Sequence, residues 1–358
     1  MKNEDHFPPD YKTARANFLD ACKAAELGTT ARVHPSAKTR DGKSLFLDTA
    51  TIGAREAETA LLMISATHGV EGYFGSGVQT GLLREGKLAP PDGAKVVLLH
   101  ALNPYGFAWD RRVNEDNADI NRNFVDHDDP PANDAYAALV DWIAPKDMSR
   151  DSLKAANAKL KAYADAHGTF ALQEAISKGQ YVFPDGMYFG GQKDAWSAAM
   201  LRDVFREELR DVKKLIVIDF HTGLGAHGHC EMISEDMPGS PGYVRARSIW
   251  GARVCSSEAG ESVSAPLNGT IDKAVPDLLP GAEITFAALE AGTAPARDVF
   301  NALRRDNWLH CVAGHGHADA EAIRREIRAA FYPDTTEWKR MVWKTAEEVV
   351  QQALKALD

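Results

Sequence analysis

The chain reads as one α/β domain built on a mixed, largely parallel sheet flanked by helices, and three observations predict it. Apolar runs such as ALLMIS, KVVLLHAL, KKLIVIDF and EITFAALE are too continuous to leave one face in water, as expected of strands covered on both sides. Segments with helical spacing alternate with these runs, the order that builds a helix-covered sheet. With 358 residues, 44% of them hydrophobic and 26% charged, the chain can fill such a core and remain soluble.

The elements follow in order. Residues 11–27 have the spacing of an amphipathic helix, stopped by Gly28. SLFLDTA and ALLMIS are the next strands, Gly75 to Arg84 a helix, and KVVLLHAL another strand. At DHDDPPAND the pattern breaks, and residues 133–178 turn rich in Ala, Lys and Asp with helical spacing. Because the strand pattern resumes at KKLIVIDF, the stretch from about 127 to 210 is expected to be a helical and loop insertion within a single domain spanning 1–358. Its end, GQYVFPDGMYFGGQ, has the glycine and proline density of a sharply turned loop. EITFAALE is the last strand, and the chain from Ala296 onward is mostly helical. A helix over 335–357 keeps Trp338, Val342, Val349 and Leu354 near one face, a packing stripe.

Composition excludes several functions. A formal net charge of −10 leaves no basic surface to follow nucleic acid phosphates, and it repels acidic lipid headgroups. An anionic substrate would need its own local arginines. No run approaches the roughly 18 apolar residues of a membrane span, and the N-terminal MKNEDHFPPDYK lacks the apolar core of a secretory signal. Four scattered cysteines without a CxxC pair are expected to be free thiols in a reducing cytoplasm. GSGVQTG has Thr80 where a dinucleotide fingerprint needs its third glycine, and no P-loop, H-E-x-x-H or G-x-S-x-G is present.

Three strands end in chemistry. ALLMISATHGVE ends in His68 and Glu71, LIVIDFHTG in His221, and ITFAALEAG in Glu290. Ligand sites in open α/β sheets form at the carboxyl ends of strands. Two histidines and a carboxylate make a three-ligand zinc site with one position left for water. Asp219, two residues before His221 on the same side of its strand, is placed to orient that imidazole or simply to serve the structure. HGHCE, residues 227–231, alternates between faces after a turn and is expected to lie outside the site, and the HGH at 315–317 is expected to end a helix.

Between the two histidine segments lies NPYGFAWDRRVNEDNADINRNF. The order H-x-x-E, N-P-x-G, arginine, N-R, strand-terminal histidine and late glutamate resembles the zinc metallocarboxypeptidase superfamily, over roughly residues 60–125 and 212–295. THGVEG, DFHTGLG and ALEAGT look closest to an uncharacterised bacterial branch, related to aspartoacylase and succinylglutamate desuccinylase. The resemblance implies that His68, Glu71 and His221 hold Zn²⁺ and that Glu290 is the general base. Arg111 or Arg112 would hold the oxyanion, and Asn121 with Arg122 would clamp a substrate carboxylate. It also implies a tyrosine near the reacting bond. Tyr243, alone between His221 and Glu290, is spaced wrongly for that role, so Tyr181 or Tyr188 is the replacement. The implied activity is cleavage of an amide beside a free carboxylate, in a short peptide or an N-acyl amino acid; the alternative is a catalytically silent binding module on the same fold, against which the intact Glu290 argues.

Overall fold

The computed structural model describes residues 2–358. Eight strands form one sheet: β1 (Thr29–Lys38), β2 (Ser44–Gly53), β3 (Thr59–Ile64), β4 (Ala94–His100), β5 (Lys214–Thr222), β6 (Cys230–Ser234), β7 (Val254–Ser256) and β8 (Glu283–Ala291). Their order is β1-β2-β4-β3-β5-β8-β6-β7. The four central strands β4, β3, β5 and β8 run parallel, while β1 against β2, β2 against β4, and β6 against β8 are antiparallel. The mixed, largely parallel sheet expected from the sequence is present.

Among the described residues twelve α-helices accompany the sheet: α1 (Tyr11–Ala24), α2 (Gly72–Arg84), α3 (Pro104–Trp109), α4 (Asp134–Ile143), α5 (Arg150–His167), α6 (Thr169–Ser177), α7 (Trp196–Val204), α8 (Pro241–Trp250), α9 (Ile271–Leu278), α10 (Ala296–Trp308), α11 (Ala320–Phe331) and α12 (Thr336–Lys355). Alternation along the central strands sends side chains to two cores. Leu61, Met63, Ile216 and Ile218 pack with Phe18, Val78 and Trp343 of α1, α2 and α12. Leu62, Ile64, Leu215 and Val217 pack on the opposite face with Leu201 of α7 and Val275 of α9. Both faces are buried, which is why these strands read as unbroken apolar runs.

The helical insertion is α4 to α6, a loop, and α7. Tyr136, Leu139 and Leu160 of α4 and α5 share a third core with Val299 and Leu303 of α10 and Ile327 of α11, so the insertion packs onto the C-terminal helices. Trp338, Val342, Val349 and Leu354 are all buried, as the α12 stripe predicts. Two expected boundaries move. The first helix ends at Ala24, and the turn that follows places Glu26 in the left-handed region before Gly28 is reached. The helix expected from Gly75 begins at Gly72. Strand β1 gave no sequence signal because it is an edge strand with most residues exposed. No helix among the described residues is long and apolar enough to cross a membrane.

Candidate metal centre and substrate cleft

The His68–Glu71 turn is shaped by its glycine and by the N-P-x-G segment packed against it. A Cβ on Gly69 would lie 2.0 Å from the backbone of Gly106, so only glycine allows the approach. Asn103 caps α3 by accepting from the Gly106 N–H at 2.9 Å, Pro104 opens the helix, and the Asn103 amide donates to the Arg112 carbonyl at 3.3 Å. The Arg111 and Arg112 carbonyls in turn accept from the N–H groups of Val70 and Gly69, at 2.8 and 3.1 Å. The sequence N-P-Y-G is therefore the bracket that fixes the metal-ligand turn.

Strand order does the rest. β3, β5 and β8 are parallel neighbours, with Ile64 opposite Asp219 and His221 opposite Glu290. Their carboxyl ends therefore meet at the middle of the sheet, bringing His68 and Glu71, His221 and Glu290 to one edge.

Three side chains converge there, through four candidate ligand atoms. His68 Nδ1 lies 3.1 Å from Glu71 Oε1 and 3.2 Å from His221 Nδ1, and His221 Nδ1 lies 3.1 Å from Glu71 Oε2. Four ligands held about 2.0–2.1 Å from zinc stand about 3.3 Å apart at tetrahedral angles, so the spacing fits the ion. The donor set fits as well: two buried imidazole nitrogens facing each other beside a carboxylate need a cation or protons between them. Among the described residues no other trio of His, Cys, Asp or Glu brings ligand atoms this close. Burial opposes ionisation of Glu71, but the His68 and His221 rings outweigh it and hold the carboxyl well below its usual range. His221 is held well above its ordinary value by Asp219 and Glu71, against the effect of burial.

Carboxylates stand behind both histidines. Asp119, fully buried, lies 3.0 Å from His68 Nε2. Asp219 approaches His221 Nε2 at 2.8 Å, too far out of line for a hydrogen bond, and itself accepts from the Thr67 hydroxyl at 2.8 and 3.0 Å. Such partners fix ring orientation and tautomer. Asp119 also accepts from Arg112 Nε at 3.0 Å and from the Asn121 N–H at 3.0 Å, tying three expected site residues together. Burial would raise its pKa, but Arg112 and His68 keep it well below the ordinary carboxylate range.

The structure separates the adjacent arginines. Arg112 reaches the site, donating to Glu71 Oε1 at 3.1 Å, with Nη2 2.8 Å from His68 Nε2. His68 Nε2 either accepts from that guanidinium or donates to Asp119. The tautomer that leaves Nδ1 as the acceptor is the one that donates to Asp119, which frees Nη2 toward the cleft. Arg111 points elsewhere, into a buried pair with Asp306 at 3.0 Å and a bond to Asn117 at 2.9 Å. It does not join the other expected site residues.

Arg122 is 2% exposed and has no carboxylate within 4 Å among the described residues. Its N–H groups donate to the Ser177 carbonyl at 2.8 and 3.0 Å and to the Asn121 carbonyl at 2.7 Å. Burial lowers the pKa of this guanidinium, opposed by the nearby Asp119 charge. Asn121 turns its carbonyl oxygen to the Ile271 N–H, 2.9 Å away, and so anchors α9. Glu290 accepts from the Leu224 N–H at 2.8 Å through Oε1, and burial with the nearby Glu71 charge raises its pKa to about 8. Tyr188 sits at φ +53°, a conformation bulky residues seldom adopt, with its ring 5.4 Å from the Arg112 guanidinium and 5.8 Å from that of Arg122. Tyr181 lies behind, donating to the Arg122 carbonyl at 2.8 Å, and Tyr243 bonds Glu261 outside the cleft.

His68, Arg112, Arg122, Tyr188, His221 and Glu290 line one cleft of about 900 Å³. Asp119 is the residue sequence reasoning missed; its place two positions before Asn121 in DINR was the available signal. None of residues 227–231 lines the cleft. Glu231 instead accepts from Ser262 and from the Val263 N–H, at 2.6 and 3.1 Å.

Comparison with known proteins adds the following. No curated protein matches the chain. Similar solved structures include an aspartoacylase family protein from Mesorhizobium loti, at 14% identity over 80% of this chain and 67% of that one, with a TM-score of 0.40. Carboxypeptidase A from Helicoverpa armigera is similar at 12% identity over 90% and 74%, with a TM-score of 0.45. Bovine thrombin-activatable fibrinolysis inhibitor is similar at 10% identity over 97% and 96%, with a TM-score of 0.48. A family model described as "Protein of unknown function (DUF2817)" matches residues 7–345, nearly the whole chain. The chain therefore belongs to the DUF2817 family.

Proposed function

We propose that the protein is a zinc-dependent hydrolase that cleaves an amide bond next to a free carboxylate, in short peptides or peptide-like small molecules, N-acyl amino acids among them. One observation carries the reading. His68 and His221, which converge with Glu71, line one cleft together with Glu290, Arg112 and Arg122.

Zinc held by the three ligands would make water acidic enough to ionise near pH ~7 and would polarise the scissile carbonyl. Glu290 takes the proton of the attacking water and returns it to the leaving nitrogen. Its Oε1 is engaged by Leu224, which leaves Oε2 for this exchange. Burial raises the Glu290 carboxyl above its usual range, which makes its carboxylate a stronger proton acceptor than an exposed one. Arg112, anchored through Nε on Asp119 and Nη1 on Glu71, presents Nη2 to the oxygen that gains charge as the carbonyl is attacked. Arg122 holds the substrate carboxylate, and Tyr188 packs beside both guanidinium groups.

The test is turnover by the zinc-loaded protein on N-acyl amino acids and short peptides, each beside its counterpart amidated at the terminal carboxylate. Acids should be cleaved well above amides, and His221→Ala should abolish both zinc binding and turnover. Cleavage that ignores the carboxylate, or survives removal of the metal, would refute the reading.

A further inference from the structure

Helix α6 lines the cleft along its length. Thr169, Leu172, Gln173, Ile176 and Ser177 all face it, at the spacing of one helical stripe. At the C-terminal end of α6, the Ser177 carbonyl holds Arg122. That end is roofed: Gln173 donates to the Val263 carbonyl at 2.7 Å, and the Asn268 N–H to the Lys178 carbonyl at 2.9 Å. At the N-terminal end, about 12 Å away at the rise of a helix, Thr169 is exposed, as is Arg297 across the gap. A substrate held by its carboxylate at Arg122 and reaching the mouth along α6 would lay the group attached to the scissile carbonyl between α6, α5 and α10.

That corridor is mostly apolar, with Asn157 of α5, Gln173 of α6 and Asn301 of α10 as its polar members. Leu160 of α5, Leu172 and Ile176 of α6, and Val299, Phe300 and Leu303 of α10 form its walls. The acidic residues lining the cleft are Asp219 and Glu290 at strand ends, and Glu235 and Asp272. Asp272 follows Ile271, which bonds Asn121, so this pair stands at the Arg122 end. None lies on α5, α6 or α10. The charged side chains at the mouth, Lys161 and Arg297, are cationic and already paired with Asp165 at 2.5 Å and Asp298 at 3.3 Å. A free amino terminus beside the scissile carbonyl would meet Glu290, which the reaction needs for its own proton transfers, and beyond it leucine, isoleucine and phenylalanine with no further carboxylate on the corridor walls.

We infer that this corridor binds an uncharged apolar acyl group, so that the substrates are N-acyl amino acids with aliphatic or aromatic acyl chains rather than peptides with a free amino terminus. The inference rests on the amide-hydrolase reading and narrows its substrate class.

The experiment compares N-acetyl, N-butanoyl, N-hexanoyl and N-octanoyl derivatives of one amino acid, together with a succinyl derivative and the norleucyl dipeptide, which has the hexanoyl skeleton plus an amine. With the zinc-loaded enzyme, kcat/KM should rise by about fourfold per methylene until the corridor is full, the ratio given by ~0.8 kcal/mol per buried CH₂. The dipeptide should fall at least tenfold below its hexanoyl counterpart. Leu172→Asp, with Ile176→Asn as the milder variant should that one misfold, should flatten the series. Preference for acetyl or succinyl over hexanoyl, or equal turnover of the dipeptide, would overturn the acyl site while leaving amide hydrolysis standing. If nothing is hydrolysed, the chemical reading fails. Calorimetry on zinc-loaded Glu290→Gln then decides the corridor alone: affinity that climbs with chain length supports it, and affinity indifferent to chain length refutes it.

Discussion

Asp119→Asn should cripple the metal centre although Asp119 is not itself one of the ligands. The wild-type carboxylate serves three donors: Oδ1 faces His68 Nε2 and the Asn121 N–H, each at 3.0 Å, and Oδ2 faces Arg112 Nε at 3.0 Å. An amide can satisfy only one side. With its oxygen toward His68, its NH₂ meets the Arg112 Nε–H, two donors in contact. Flipped, it donates to His68 Nε2, forces that ring's proton onto Nδ1, and so removes a ligand lone pair. Losing a partner of this kind typically costs 10–100-fold in metal affinity, and one lost charge-assisted hydrogen bond in a fully buried site costs about 1.5–3 kcal/mol of stability. Zinc affinity would be measured by competition with a chromophoric chelator, and stability by urea unfolding of the apo protein. Asn121→Ala, which spares the Asp119 carboxylate, is the control and should bind zinc nearly as wild type does. An Asp119→Asn protein with wild-type zinc affinity would show that the His68–Asp119 contact plays no part in ligation.

Glu290→Gln should keep stoichiometric zinc, since none of the three ligands changes, yet lose about 10²–10⁴-fold in kcat with little change in KM; elemental analysis beside steady-state kinetics checks both. His68→Ala should lose the metal outright, and retention at full stoichiometry would break the ligand assignment. Arg122→Lys keeps the charge but not the planar fork, so kcat/KM should fall tenfold or more on carboxylate substrates and hardly at all on amidated ones; equal losses would remove Arg122 from the carboxylate site. His100 carries a pH prediction. Burial, helped by the Arg15 charge, holds its folded pKa down to about 3, so between pH 6.5 and 3 the unfolded chain takes a proton that the folded one refuses. Stability should therefore fall by about 1.4 kcal/mol per pH unit on acidification through that window. Urea midpoints of His100→Gln should decline less steeply from pH 6.5 to 4.5, and equal slopes would show that His100 is not the group responsible.

Local chemistry was legible from the sequence. The apolar runs identify the central strands because burial on both faces leaves no polar alternation to confuse them. Asn103, Pro104 and Gly106 act within one turn, so the helix cap they form is a local feature, while its packing against Gly69 is not. His68, Glu71, His221 and Glu290 each follow an apolar strand, which marks them as residues at strand ends. What depends on partners far along the chain was decided only by the tertiary structure. Arg111 and Arg112 are neighbours in identical local surroundings; one meets Asp306, the other Glu71 and Asp119, and no local pattern encodes that difference. Asp119 gains its role only because the turn after β3 brings His68 against it. That α6 of the insertion forms a wall of the cleft depends on docking against α10, which no pattern within that stretch encodes. The ligand set exists because β3, β5 and β8 lie side by side, an order set by the packing of helices across the whole sheet, so that strand ends up to 222 positions apart finish within one site.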